Sequence, residues 1–320
     1  NGTAISGATS ATYTANATGN YSVTVTNANG CSATSAATAV LVNSLPTATI
    51  TAGGATTFCA GSSVSLSANS GTGLTYQWSN GSNNQTITVS TAGNYTVTVT
   101  NADGCSTTSA ATAVTVTALP TVASITGTTA VCSGSTTTLS STTTGGVWTS
   151  SNTAVATINS STGVVTGVTA GTTTITYTVT VGGCTNSTTA VVTVNALPTA
   201  TITTIGTTTF CAGGSVSLVG PSAPAGMTYS YQWNLGGTAI SGATSSSYTA
   251  SAAGSYTLTV TNNNGCSATS TATTVTVNAL PTVAAITGTT SVCEGSSVSL
   301  ANTTTGGTWS SSNTATAIVN

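Results

Sequence analysis

The chain has 320 residues, contains no Lys, Arg or His, and carries only two acidic side chains, Asp103 and Glu294. Catalysis by general acids, bases or nucleophiles needs positioned titratable groups, and binding to nucleic acid or anionic lipid depends on Lys and Arg. The composition therefore predicts a protein that is not an enzyme, has no catalytic or cofactor-binding residues, needs no cofactor, and does not bind nucleic acid.

The apolar residues and the cysteines are both spread evenly along the chain. No run approaches the ~20 apolar residues of a membrane-spanning helix, so membrane insertion is not expected. The eight Cys do not cluster as zinc ligands do, so no metal-binding residues are predicted.

Four Leu-Pro pairs divide the chain into repeats, at intervals of 74, 78 and 83 residues. A proline fixes φ and stiffens such a joint. The pairs are Leu45-Pro46, Leu119-Pro120, Leu197-Pro198 and Leu280-Pro281. They predict whole domains at residues 47–120, 121–198 and 199–281, a second half of a domain at 1–46 and a first half at 282–320.

Apolar and polar residues alternate within each repeat. Val97 and Val99 fall on one face of a predicted strand and the intervening Thr residues on the other, as in an antiparallel sheet with one solvated face. Short strands with turn signals every 8–12 residues predict an all-β fold of tandem immunoglobulin-like antiparallel β-sandwich domains in a linear array, with helix content near zero.

Two short motifs recur inside the repeats. Asn101-Ala102-Asp103-Gly104 predicts a hairpin turn, which makes Asp103 a turn residue. The Tyr of Ala-Gly-Asn-Tyr95 occupies the place of an immunoglobulin corner tyrosine, whose hydroxyl bonds a nearby backbone group. Tyr21 and Tyr256 occupy the same place in their repeats.

Each repeat has the order Cys, Trp, Cys, which predicts one disulfide per domain. The expected pairs are Cys59–Cys105, Cys132–Cys184 and Cys211–Cys266, with Cys31 and Cys293 bonded to partners outside the segment. Because Cys59 precedes the first core strand and Cys105 follows the hairpin turn, the bond should clip one end of the sandwich. Each would stabilise its domain by about 4 kcal/mol. Such regular cysteine spacing implies an oxidising compartment and secretion.

The tryptophans are predicted core residues: Trp78, Trp148, Trp233 and Trp309. Stacking of Trp78 and Trp233 on sugars is the alternative. The two half-domains should each expose an apolar face, with Tyr21, Val23 and Val25 on one and Val298, Leu300 and Trp309 on the other. We expect polypeptide outside the chain to complete them. The source is either a longer covalent array or, as the second choice, a neighbouring subunit with Cys293 bonded to Cys31.

Several of these motifs resemble known families. Tyr-Gln-Trp, Gly-x-Tyr-x-Val-x-Val-Thr-Asn and Asn-Gly-Cys resemble the Ig-like and PKD-like repeats of giant secreted proteins of the Bacteroidetes. The run from Trp148 to Thr157, followed by Gly163-Val-Val-Thr-Gly-Val, resembles the bacterial Ig-like group 2 domain. The resemblance implies group 2 domains at 121–198 and 282–320, and an architecture similar to gliding-motility proteins and cell-surface adhesins.

The leading functional hypothesis is a structural stalk or extracellular filament of a secreted adhesin, on the cell surface or outside it, whose partners are neighbouring repeats or copies of itself. The alternative is a glycan- or surface-binding array that uses loops such as residues 79–85. Ice or crystal-surface binding through rows of Thr is a third, weaker hypothesis.

Overall fold

The computed structural model describes residues 2–318, and within them all regular secondary structure is β-strand. The chain forms two compact units. One holds the residues up to Ile125 together with Ser141–Trp148 and Thr176–Thr189. The other holds Thr126–Ser140, Thr149–Ile175 and the chain from Ala190 onward. Residues 121–198 contribute to both units, and the domain boundaries drawn from the Leu-Pro pairs stay predictions.

The first repeat region consists of two hairpin-like pairs. Strand β1 pairs with β4 and β2 with β3, both antiparallel. The bounds are β1 Gly19–Tyr21, β2 Thr24–Thr26, β3 Ser32–Thr34 and β4 Thr38–Val40.

The second repeat region is a two-layer sandwich. One layer is the sheet β5-β7-β9, and the other holds the sheets β12-β11-β8 and β10-β13-β6. Every pairing is antiparallel except that of β6 with β13, which is parallel. The bounds are β5 Ile50–Ala52, β6 Thr57–Cys59, β7 Val64–Ala68, β8 Thr75–Trp78, β9 Thr86–Val89, β10 Gly93–Tyr95, β11 Val97–Thr100, β12 Ser106–Thr108 and β13 Thr112–Thr117.

The third repeat region has the sheet orders β14-β16-β19-β18 and β15-β21-β20-β17. Its strand β15 pairs in parallel with β21, as β6 does with β13. The bounds are β14 Thr126–Gly127, β15 Ala130–Cys132, β16 Thr136–Ser140, β17 Val147–Ser150, β18 Ala156–Ile158, β19 Val164–Gly167, β20 Gly171–Val181 and β21 Cys184–Asn195.

The fourth repeat region is again a sandwich, with β22-β24-β27 facing a larger sheet in which β23-β30-β28-β25-β26 are neighbours and β29 joins β28. The bounds are β22 Thr203–Ile205, β23 Thr209–Cys211, β24 Val216–Val219, β25 Tyr229–Leu235, β26 Thr238–Ala239, β27 Ser247–Ala250, β28 Gly254–Asn262, β29 Ser267–Thr269 and β30 Thr273–Asn278. The last region has only β31 Thr287–Gly288 and β32 Leu300–Ala301.

The apolar positions of the predicted alternating pattern form the core. Val97 and Val99 are fully buried against Leu66 and Trp78, while Thr98 and Thr100 on the opposite face are partly exposed. An equivalent cluster around Trp233 and Leu258 fills the fourth region. The prediction of an all-β fold of tandem sandwiches is thereby confirmed for the described residues.

Both local motifs form as predicted. Gly104 adopts φ +82°, the left-handed conformation that glycine tolerates, and its N–H donates to the carbonyl of Asn101 at 3.1 Å. The hydroxyl of Tyr95 donates to the carbonyl of Thr91 at 3.0 Å, and that of Tyr256 to Ala252 at 2.9 Å. The corner-tyrosine prediction is confirmed.

Trp309 departs from its predicted place in a core. Its side chain is 43% exposed, as are large parts of Leu300 and Val298. Residues 282–318 form only the short pair β31–β32, so no second layer covers the indole. Val23 and Val25 are exposed in the same way, as the half-domain interpretation expects. Whether other polypeptide covers these faces stays a prediction.

Candidate functional site: disulfide joints between repeats

The predicted disulfide pairing is wrong. The structure contains the bonds Cys59–Cys184 and Cys132–Cys266, each with a Cα–Cα distance of 5.6 Å. Cys105 and Cys211, predicted to be bonded within their own repeats, are free, as are Cys31 and Cys293. Each bond therefore crosses a Leu-Pro linker and joins one repeat to the next.

The physical reason is that the two cysteines of one repeat lie at opposite ends of its sandwich. Cys59 ends β6 opposite Thr117, the last residue of β13, whereas Cys105 precedes β12, where the final strands begin. The extended segment between these positions spans up to about 35 Å. A disulfide requires Cα atoms within about 7 Å. The sequence showed that each cysteine lies outside the core strands, but not that they lie at different ends.

The first cysteine of each repeat marks the trailing end, where the final strand leaves toward the next linker. Cys59, Cys132 and Cys211 each pair in parallel register with the last residue of that strand. The residue after each cysteine donates its N–H to that last residue's carbonyl, at 2.8, 2.9 and 2.8 Å. Parallel pairing with the final strand thus places the thiol beside the exit of the chain.

The hairpin cysteine (Cys31, Cys105, Cys184 or Cys266) marks the leading end, where the chain enters from the preceding linker. Asn262 connects the hairpin cysteine to the preceding linker. Its Oδ1 accepts from the N–H of Cys266 at 3.0 Å, and its Nδ2 donates to the carbonyl of Ala196 at 3.0 Å. Asn101 makes the same pair of bonds to Cys105 and Ser44, at 2.9 and 3.0 Å.

The third repeat region anchors its linker with a different asparagine. Asn186, two residues after Cys184 in β21, donates from Nδ2 to the carbonyl of Pro120 at 2.9 Å. Sequence reasoning assigned Asn101 and Asn262 only to turns and did not single out Asn186. The recurring Asn-x-x-Gly-Cys spacing was the available signal for the first two.

The joints are neutral, and where a bond has formed the hairpin cysteine is buried while its partner, Cys59 or Cys132, is partly exposed. Cys184 and Cys266 are 2% and 1% exposed, whereas Cys211 is exposed and Cys105 is partly exposed. Because the chain contains no Lys, Arg or His, the joints hold no side-chain ion pair and rely on hydrogen bonds and disulfides.

The tryptophans do not form a sugar-binding surface. Trp78 and Trp233 are 2% and 0% exposed, and their indole N–H groups donate to the carbonyls of Asn84 at 2.7 Å and Ser245 at 3.0 Å. Trp148 is also buried and packs on Tyr177, with ring centroids 4.4 Å apart. Stacking of Trp78 or Trp233 on a sugar is therefore excluded in this conformation.

Tyr256, in the core of the fourth repeat region, has a shifted pKa. Burial, with a smaller contribution from Tyr248, raises the pKa of Tyr256 above its ordinary value of 10.0. Within residues 2–318 no group of three or more His, Cys, Asp or Glu side chains is arranged to hold a metal ion. The described part of the chain also contains no helix with the length and hydropathy to cross a membrane.

Comparisons with known proteins return only distant structural neighbours. No family model and no curated protein matches the chain. The N-terminal four Ig domains of Dscam1 isoform 9.44 align with 81% of this chain and 79% of theirs, at 14% identity and a TM-score of 0.22. Extracellular domains 3–5 of Drosophila OTK align with 69% of this chain and 93% of theirs, at 11% identity and a TM-score of 0.28. The titin I-band fragment I67–I69 aligns with 70% of this chain and 95% of its own length, at 11% identity and a TM-score of 0.28. Scores this low carry no conclusion about this chain.

Proposed function

We propose that the chain is a structural repeat segment of a secreted bacterial adhesin stalk or extracellular filament. The observation that carries the proposal is the covalent bond at each of two joints. Cys59–Cys184 crosses the linker at Leu119-Pro120, and Cys132–Cys266 crosses the linker at Leu197-Pro198. A joint held by both a peptide linker and a disulfide resists hinging, which is the property that a stalk requires.

The composition supports a mechanical role over a catalytic one. Asp103 lies in a hairpin turn, and with Glu294 it is one of only two ionisable carboxyl side chains in the sequence. His and Lys, which commonly activate a nucleophile, are absent, and the two carboxylates lie 191 positions apart in the sequence. The proposed protein therefore works through its shape and its covalent connections.

The disulfides also support an extracellular location, because they persist mainly in oxidising compartments. Neighbouring repeats or copies of the chain are the proposed partners. A net charge of −2 provides little repulsion between copies. Hydroxyl pairs such as Thr98 with Thr108, 2.9 Å apart, line the exposed strands in place of the Lys that commonly blunts sheet edges.

Immunogold electron microscopy of cells that produce the protein tests this proposal, with cells lacking it as the control. We expect label along extracellular fibres or stalks. Label confined to the cell interior would overturn the proposal, and label on isolated flexible tethers would overturn the filament form of it.

A mechanical measurement tests the stiffness directly. Atomic force microscopy of the oxidised chain and of a Cys59→Ser/Cys132→Ser variant should show a broader distribution of bend angles in the variant. Cys31→Ser/Cys293→Ser is the matched control, because both cysteines are free and exposed. Equal distributions in all three proteins would count against the stalk.

A glycan-binding array is the alternative function. A shallow depression lined by Tyr76, Gln77 and Asn83 favours it, because the Gln77 and Asn83 amides are exposed there, beside the partly buried Tyr76. Retention of the folded chain on a glycan array, lost on Asn83→Ala, would support it. No retention on any sugar would remove it.

A further inference from the structure

The free cysteines belong to the same two positional classes as the bonded ones. Cys211 is a first cysteine, like the bonded Cys59 and Cys132. Cys105 is a hairpin cysteine, like the bonded Cys184 and Cys266. Both disulfides follow one rule: the first cysteine of a repeat bonds to the hairpin cysteine of the following repeat.

Cys211 has the surroundings of its bonded equivalents. β23 and β30 pair in parallel with the register of β6 and β13, and Cys211 lies opposite Asn278, the last residue of β30. Ala212 N–H donates to the carbonyl of Asn278 at 2.8 Å, as Ala60 N–H does to Thr117. Cys211 is therefore held at a trailing end beside the Leu280-Pro281 linker.

Cys105 is likewise built into a leading end. Its N–H donates to Asn101 Oδ1, as that of Cys266 does to Asn262. Its Sγ lies 3.9 Å from the carbonyl oxygen of Asn43, in the linker that precedes its repeat. The thiol thus faces the joint that a preceding repeat would share.

We infer that Cys211 is a disulfide-forming site for the hairpin cysteine of a further Ig-like repeat, and Cys105 the reciprocal site for a first cysteine. The two thiols of a pair lose two protons and two electrons as their S–S bond forms. A low-molecular-weight disulfide such as oxidised glutathione accepts them and is released as two reduced glutathione molecules. The inference concerns how repeats are joined and does not depend on the adhesin role.

Residues 282–318 already form the first part of such a repeat. β31 and β32 repeat the register of β14 and β16, with Gly288 opposite Leu300 as Gly127 is opposite Leu139. Ala284 N–H donates to Thr304 Oγ1 at 3.0 Å, as Ala123 N–H does to Thr143 Oγ1 at 2.9 Å. A repeat completed here would present its hairpin cysteine to Cys211, as residues 121–198 present Cys184 to Cys59.

The test joins a second copy of residues 160–198 after residue 320. The extended chain is refolded at low concentration in a glutathione redox buffer, alkylated and mapped by mass spectrometry. We expect a disulfide between Cys211 and the added copy of Cys184, so that alkylation of Cys211 is lost while Cys31, Cys105 and Cys293 remain alkylated. The control replaces the added cysteine with Ser, and Cys211 should then be alkylated.

A second arm distinguishes a neighbouring chain from a continuing one. The unextended chain is oxidised at high concentration, where a bond from Cys211 to Cys31 or Cys105 of a second copy would identify copies of the chain as the partner. Formation of Cys59–Cys184 and Cys132–Cys266, with Cys211 left as a thiol, a glutathione adduct or a Cys211–Cys211 dimer in both arms, would overturn the inference.

If the added segment fails to fold, mapping of the protein from its producing cells decides: Cys211 bonded to a hairpin cysteine supports the inference, and a free thiol refutes it.

Discussion

Asn262 is a neutral side chain that bonds the hairpin turn to the linker at one joint of a chain without Lys, Arg or His. The buried side chain accepts from the backbone N–H groups of Asn264 and Cys266, and it donates to the carbonyl of Ala196 in the linker. Cys266 is buried, so its N–H would otherwise be a buried donor without a partner, whereas Asn264 and Ala196 are exposed. The amide therefore fixes both the hairpin turn and its position against the linker.

Replacing Asn262 with Ala should destabilise the fourth repeat region by about 2 kcal/mol, because the buried N–H of Cys266 loses its partner and two further hydrogen bonds are lost. Urea unfolding followed by tryptophan fluorescence measures the change. Asn264→Ala is the matched control, since its side chain is exposed in the same turn, and it should shift the midpoint little. Equal effects of the two substitutions would contradict the role given to Asn262.

At the scale of strands, alternation and turn motifs were sufficient to predict the sheets. The inward orientation of Val97, Val99 and Leu66 follows from the alternation of apolar and polar residues. The hairpin turn at Asn101 to Gly104 follows from the turn preferences of Asn, Asp and Gly. The disulfide partners could not be predicted in this way, because a parallel pairing places Cys59 and Cys105 at opposite ends of one sandwich. Because that pairing joins strands that are far apart in the sequence, no local sequence pattern predicts it.

Replacing both Cys132 and Cys266 with Ser should lower the stability of the oxidised chain. The bond closes a loop with a sequence separation of 134 residues. On the chain-entropy model, losing it costs about 5 kcal/mol, an upper value when the overlapping disulfide remains. The measurement is the free energy of unfolding from a urea titration. Cys211→Ser, which removes an exposed free thiol, should leave that free energy within about 0.5 kcal/mol of the parent. An unchanged midpoint in the double variant would show that the joint bond contributes nothing.

At the scale of the whole molecule, the lack of charge should make stability nearly independent of salt and of pH across the neutral range. Raising NaCl to about 1 M, where the screening length is ~3 Å, should barely move the thermal midpoint. Stability should begin to fall only as the pH rises above 10.0, the ordinary tyrosine pKa, and should go on falling up to the raised pKa of Tyr256, because the folded state holds that hydroxyl proton more tightly than the unfolded state.

Tyr256→Phe provides the control for the predicted loss of stability at high pH. At neutral pH it should cost about 1 kcal/mol through the lost hydrogen bond to Ala252, and it should reduce the loss of stability above about pH 10. Thermal unfolding as a function of pH measures both effects. A steep change between about pH 5 and 9 with the disulfides intact would contradict the prediction.

The two disulfides enclose overlapping stretches of backbone, since one loop begins at Cys59, the other ends at Cys266, and each contains a cysteine of the other. A protease that cuts any single peptide bond between Cys59 and Cys266 therefore leaves the fragments covalently attached. With the bonds confined to single repeats, one cut in a linker would have released everything beyond it. The staggered arrangement gives the molecule tolerance to nicking at the two linkers that it spans, where Leu119 and Leu197 are 41% and 47% exposed.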